Sequence, residues 1–288
     1  MRLKGIKLSD IYYILVALAY VTSLLIGAFG TDVFASVLML LIFAAFIYGY
    51  VIKGGGSVRS LHFVDHVVIA YSVYALLSLI WLLGAGYPAS VFAEEFSHSV
   101  LPVIFYFTAM AGYGRRDDFY RSFLIAIIIS GAAVIILAKT DVLSVREAVY
   151  YLMGEEYPDR HLERSIQWVS ASNNMYSTWL GNGLGANGHG VYGIEGGHVI
   201  TEGGLVKLFC ELGVIGFSLF IYTPFYLCLK NLKNFKALYT EYLIAGLMLI
   251  SSVFFNSTAF LFFTPVFWYS LGIMRRKLKL NGPYEEEA

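Results

Sequence analysis

Long apolar runs separated by short polar breaks dominate the chain, and the first question is which of them could cross a bilayer. A spanning helix needs roughly 20 mainly apolar residues to cover about 30 Å of hydrocarbon. Such runs fall near 11–29, 33–52, 64–83, 100–114, 119–138 and 208–229. The stretch 242–274 is too long for one helix and short for two. The polar triplet Asn256-Ser257-Thr258 breaks it in the middle and suits a tight hairpin.

Basic residues orient these runs. Arg2, Lys4 and Lys7 precede the first, which places the N-terminus inside. Lys53 and Arg59, then Arg115, Arg116 and Arg121, then Lys230, Lys233 and Lys236 mark further cytoplasmic ends. The loops around Gly30–Asp32 and Tyr87–Ser99 contain no Lys or Arg. Arg275, Arg276, Lys277 and Lys279 follow 242–274, so cations flank that stretch on both sides. It must therefore cross an even number of times. The pattern predicts an all-α fold, a polytopic membrane bundle of about eight transmembrane helices with both termini cytoplasmic. Helices 1–5 are expected in 1–138, a large outer loop in 139–207, three further helices in 208–274 and a cytoplasmic tail in 275–288. The first run continues through Leu24-Leu25-Ile26 without a small-residue cleavage site, so a retained helix is expected rather than a signal peptide.

Composition agrees with that class. Hydrophobic residues make up 58% and charged residues 14%, against roughly a quarter charged in an ordinary soluble domain. Twenty basic residues balance twenty acidic ones, which leaves nucleic-acid binding without an electrostatic footing. Aromatics reach 17%, as expected where many helix ends meet the lipid–water boundary. The two cysteines, Cys210 and Cys228, share one apolar run. Their spacing is about 27 Å along a helix, which excludes a disulfide between them.

Chemistry has one place to gather, the loop 139–207. Val145, Ala148, Val149 and Leu152 repeat at helical spacing, as do Leu162, Ile166 and Val169. Each pattern predicts an amphipathic helix lying across the mouth of the bundle with its apolar face down. Ten of the 28 glycines fall within 181–204, and Gly183, Gly185 and Gly188 spell G-x-G-x-x-G. No strand or βαβ unit accompanies it, so a dinucleotide site is not implied. The glycines instead supply backbone that can adopt positive φ and turn its amides toward an anion. His189, Glu195, His198 and Glu202 are interleaved among them, a density of titratable groups that plain linkers lack.

Three stretches carry a family likeness. Leu143-Ser144-Val145-Arg146-Glu147-Ala148 follows the fifth run; Arg164 to Trp168 precedes Gly181-Asn182-Gly183-Leu184-Gly185; Thr201-Glu202-Gly203-Gly204 leads into Glu211-Leu212-Gly213-Val214-Ile215-Gly216. From about Asp141 to Phe220 the chain resembles the O-antigen ligase and O-antigen polymerase superfamily of bacterial surface-polysaccharide assembly. It departs from that family in having about eight spans where ten or more are usual. Glu202 stands where the ligases have His, and Gly203 where they have Asn, which favours a polymerase-like member.

The resemblance implies a glycosyltransferase in the cytoplasmic (inner) membrane with its active loop on the outer, periplasmic side. It would polymerise, or ligate, polyprenyl-diphosphate-linked oligosaccharides without cofactor, nucleotide sugar or metal. Its implied partners are the lipid-linked glycan donor, a glycan acceptor, the bilayer and other polysaccharide-assembly proteins. A lipid diphosphate is a good leaving group, so the remaining needs are cations for the diphosphate and a base for the acceptor hydroxyl. Arginine binds phosphate oxygens bidentately, which makes Arg146 and Arg164 the first candidates, followed by Arg160 and Lys139. His198 titrates nearest neutrality and Glu202 could act if burial raised its pKa. His189 and Glu195 rank behind them.

Other features have plainer readings. His62-Phe63-Val64-Asp65-His66 has metal-ligand spacing, yet its place at a helix start points to capping. Glu94 and Glu95 could line the rim of the outer site. The competing functions are a transporter or flippase for lipid-linked glycans, a two-carboxylate hydrolase and a non-catalytic assembly subunit. Transport calls for charged groups at mid-membrane, and the predicted spans are nearly free of them.

Overall fold

The computed structural model describes residues 61–111, 160–188, 191, 201, 203–254 and 263–280, with scattered positions between 116 and 128. The chain divides into two compact units, 1–57 with 112–160 and 58–111 with 161–288. The elements below belong to the second, apart from Arg160 at the start of one helix.

Among the described residues there are seven α-helices and no strand. They are α1 (Phe63–Gly84), α2 (Ala89–Ser99), α3 (Ile104–Met110), α4 (Arg160–Asn173), α5 (Gly204–Lys230), α6 (Tyr239–Phe254) and α7 (Phe263–Leu280). Two of them, α1 and α5, are long and apolar enough to cross a membrane. Val73, Leu76, Leu77 and Ile80 on α1 are exposed, as are Leu243, Leu247 and Ile250 on α6. Apolar stripes of that kind suit lipid better than water. These helices are the structural support for membrane association. The runs at 11–29 and 33–52, most of 119–138 and the triplet 256–258 lie outside the described residues.

Local chemistry sets the boundaries. His62 caps α1: its Nδ1 accepts from the Val64 amide, and the Asp65 carboxylate accepts from the His62 amide at 2.7 Å. The 62–66 cluster is thus a capping box, as expected. Pro88 stops the preceding turn and starts α2, so the expected outer loop 87–99 is mostly helix. The expected span 100–114 opens instead with a 3-10 turn, Leu101–Val103, before the seven-residue α3. Pro102 sits in the first turn, where its missing N–H costs nothing.

An aromatic core joins α1, α3, α5 and α7. Tyr71 lies 5.6 Å from Phe220 and 5.9 Å from Trp268, and Trp268 meets Tyr106 edge-on at 6.4 Å. Gly272 lets α7 approach α3 closely, because a Cβ there would stand 2.7 Å from the Ala109 Cβ. Arg275 differs from its expected place as a cytoplasmic tail residue. The helix continues past it to Leu280, and Arg275 is buried against Asp65 through Nε–Oδ1 at 3.0 Å and Nη2–Oδ2 at 2.9 Å. Tyr106 donates its hydroxyl to the same carboxylate at 2.6 Å. The guanidinium fork and the phenol together satisfy the buried carboxylate. At its far end, α5 is tied to α7 by Asn231, whose side-chain amide donates to the Met274 carbonyl at 3.1 Å.

Candidate functional site

Helix α5 is broken, and the glycine-rich loop fills the break. Gly213 has φ 62° and ψ −170°, far from helical values. In an intact helix the amides of Val214 and Ile215 would bond to the carbonyls of Cys210 and Glu211. Here Asn182 and Gly183 donate to those carbonyls at 2.9 and 2.8 Å. The displaced amides of Val214 and Ile215 donate to Thr178 and Trp179 at 2.9 and 3.3 Å. Four loop bonds thus replace two helical ones, which satisfies the carbonyls of Cys210 and Glu211 and the amides of Val214 and Ile215.

The loop can enter because of its glycines. Gly181, Gly183 and Gly185 adopt φ of 78°, 96° and 95°. A Cβ on Gly183 would stand 2.7 Å from the Leu82 Cβ of α1, and one on Gly185 2.6 Å from the Val91 carbonyl of α2. The Leu184 amide donates to the Ser78 hydroxyl at 3.0 Å, which fixes the loop to α1. Every residue from 181 to 188 is buried. The positive φ predicted for these glycines is found, but the loop is threaded into the helices rather than draped over them.

Beneath the loop lies a buried charged cluster. Lys207, in the first turns of α5, donates to Glu95 of α2 in an ion pair, and its Nζ stands 3.9 Å from Oε1 of Glu211. Glu95 also accepts from the Ser99 hydroxyl at 2.5 Å. Glu211 accepts from the Asn187 amide at 3.1 Å and from the Gly185 backbone. Asn182 donates to the Asn187 side chain at 3.1 Å and accepts from the Tyr176 amide at 2.7 Å. The anion that the loop amides face is therefore an internal carboxylate. Burial alone would raise the pKa of Glu95. The Lys207 ammonium, helped by Ser99 and His98, outweighs it and holds the carboxyl below its ordinary value.

The candidate residues from the sequence stand differently. Arg146, His189, Glu195, His198, Glu202 and Lys139 lie outside the described residues. Arg160 and Arg164 fall on α4, the expected second amphipathic helix, with their side chains outside the described set. On the apolar face of α4, Ile166 and Val169 are exposed at 60% and 61%. Trp168 does pack inward: a Cβ on Gly203 would stand 3.0 Å from its Nε1. Glu95 is not a rim residue but part of the cluster. Lys207, expected in the loop, belongs to α5, which begins at Gly204 rather than 208. Its signal was legible, because Lys207 and Glu211 are four residues apart in an apolar run and ionisable groups there mark functional sites. Among the described residues no group of three or more His, Cys, Asp or Glu could hold a metal ion.

No protein-family model matches the chain, and no curated protein or solved structure matches it either. The fold and site define a class by their own features. Among the described residues the chain is all-helical, with two helices long and apolar enough to cross a membrane and a glycine-rich loop inserted in one of them over a buried acid–lysine cluster.

Proposed function

We propose that the chain is a polytopic membrane glycosyltransferase of about eight spans that extends polyprenyl-diphosphate-linked glycans on the outer face of the cytoplasmic membrane. The reading takes Arg146 and Arg164 as the diphosphate ligands and His198 or Glu202 as the base for the acceptor hydroxyl. One observation carries it. Stretches bearing the O-antigen polymerase and ligase likeness, far apart in sequence, meet in the fold. Gly181-Asn182-Gly183 enters the break at Glu211-Leu212-Gly213, and Trp168 packs on Gly203. Arg164 shares α4 with Trp168, one turn away, so the loop exit and a candidate phosphate ligand belong to one neighbourhood of the chain.

A second reading has its own support. Glu95, Lys207 and Glu211 are buried beside a break in an apolar helix, the arrangement expected of a transporter site. One experiment separates the two. Purified protein in vesicles is given a defined polyprenyl-diphosphate oligosaccharide, and the products are separated by size. A ladder spaced by whole repeat units supports the glycosyltransferase. Movement of unchanged donor across the bilayer without a ladder supports transport and overturns the first reading.

A further inference from the structure

We infer that the buried Glu95–Lys207–Glu211 cluster is a positioning device: it sets the register in which the glycine-rich loop enters the break in α5, and through Glu211 and Asn187 it holds Thr201, the residue before Glu202. The inference rests on the glycosyltransferase reading, in which Glu202 is a candidate base.

Stability alone gives little reason for the pair. Three ionisable side chains, Glu95, Lys207 and Glu211, are withdrawn from water together. An apolar set of the same volume is often as stable or more so, and the best-attested use of buried ionic groups is to specify register. Register matters at this crossing. The four loop-to-helix bonds are main-chain bonds, which any neighbouring residues could make. A slip by one residue would bring Asn182 or Leu212 to the crossing, where there is no room for a side chain.

The charged pair anchors the other end of the loop. Gly188 lies directly on it: a Cβ there would stand 3.2 Å from Oε2 of Glu95 and 3.3 Å from Nζ of Lys207. Asn187, next to Gly188, passes the constraint on. Its amide donates to Glu211, and its carbonyl accepts from the Thr201 amide at 3.1 Å. On the other side of residue 202, Gly203 is the N-cap of α5, and its carbonyl accepts from the Lys207 amide at 2.7 Å in an ordinary helical bond that does not involve the Lys207 side chain. One chain neighbour of Glu202, Thr201, is thus tied to the cluster through Asn187 and Glu211, while the other, Gly203, is set by the start of α5. A base must come within hydrogen-bond reach of the hydroxyl it deprotonates.

The test uses the full-length protein in vesicles and a charge-free variant, Glu95→Leu with Lys207→Met and Glu211→Gln; the glutamine keeps an acceptor for Asn187. Glu95→Gln alone is a milder second variant that serves if the triple variant does not fold. Amide hydrogen exchange at Asn182, Gly183, Asn187 and Thr201 should quicken about tenfold or more in a variant that otherwise melts like the parent. In the extension assay kcat should fall about 10- to 100-fold with donor KM nearly unchanged, because a misplaced base weakens the transition state rather than donor binding. A folded variant with parental exchange at these four amides, or with parental kcat, overturns the inference. If the parent itself extends no glycan, the glycosyltransferase reading fails, and the exchange rates still decide whether the pair sets the register.

Discussion

Gly181 and Gly213 cross backbone to backbone. A Cβ on Gly181 would stand 2.6 Å from the Gly213 nitrogen, and one on Gly213 would stand 2.7 Å from the Gly181 nitrogen. Both residues also hold positive φ, at 78° and 62°. Two separate constraints, left-handed backbone and main-chain contact, therefore call for glycine at each position, and together they let a loop replace a stretch of helical hydrogen bonding.

Substitution at this crossing should be costly. Gly181→Ala or Gly213→Ala should each lose about 1–3 kcal/mol from backbone strain alone, with the clash against the Glu211 or Trp179 carbonyl added. Gly246→Ala, in α6 with open space around it, should be neutral or gain up to about 1 kcal/mol. Thermal unfolding of the three variants in one detergent measures the contrast. Equal melting temperatures would show that the crossing is not close-packed.

Acid should loosen the cluster. The folded-state pKa of Glu95 is depressed, so the charged carboxylate favours the folded state. That contribution is fully present above the ordinary carboxylate value of about 4.3 and is lost as pH falls through the folded value. The parent protein should therefore lose more thermal stability between neutral pH and about pH 3 than Glu95→Gln does. Parallel melting curves across that range would contradict the sign.

Labelling tests the sidedness. Asn182, an obvious loop position from the sequence, is only 2% exposed and would label poorly whatever the topology. Tyr176, at 75% exposed, is the better outer site, and Leu232, at 59%, the matching inner one. In a chain whose own Cys210 and Cys228 are replaced by alanine, Tyr176→Cys should react with an impermeant maleimide on intact cells. Leu232→Cys should react only after lysis. The opposite result would reverse the proposed orientation.

Removing the proposed catalytic groups should cut extension. Loss of a positioned Arg–phosphate contact removes about 1.5–3 kcal/mol, so Arg146→Ala or Arg164→Ala should slow the reaction roughly 10- to 100-fold. Arg→Lys should restore it only in part if the contact is bidentate. His198→Ala and Glu202→Gln, compared at matched expression, identify the base. Parental rates in all four variants, or activity that disappears with a chelator and returns with a divalent ion, would refute the assignment.

Apolar periodicity along the chain was enough to predict helices and the absence of strands among the described residues, because helix formation is local and the apolar runs are long. Although 87–99 read as a loop and folds largely as α2, the start of α1 was written locally too, in His62 with Asp65. So was the positive φ of the loop glycines, since no other residue adopts it so freely. The site was less legible, because its parts meet only through tertiary contact. Nothing local tells that Glu95 and Lys207, 112 residues apart, form a pair, or that Asp65 and Arg275, 210 apart, do the same. Nor does the run around Gly213 by itself fix a break: Gly213, Val214, Ile215 and Gly216 are weak helix formers that apolar helices nevertheless tolerate, and at this site the amides of Asn182 and Gly183 take the carbonyls of Cys210 and Glu211. Hydrogen-bond capacity is a property of the sequence, but which partner satisfies it in a closed interior is decided by what packs alongside.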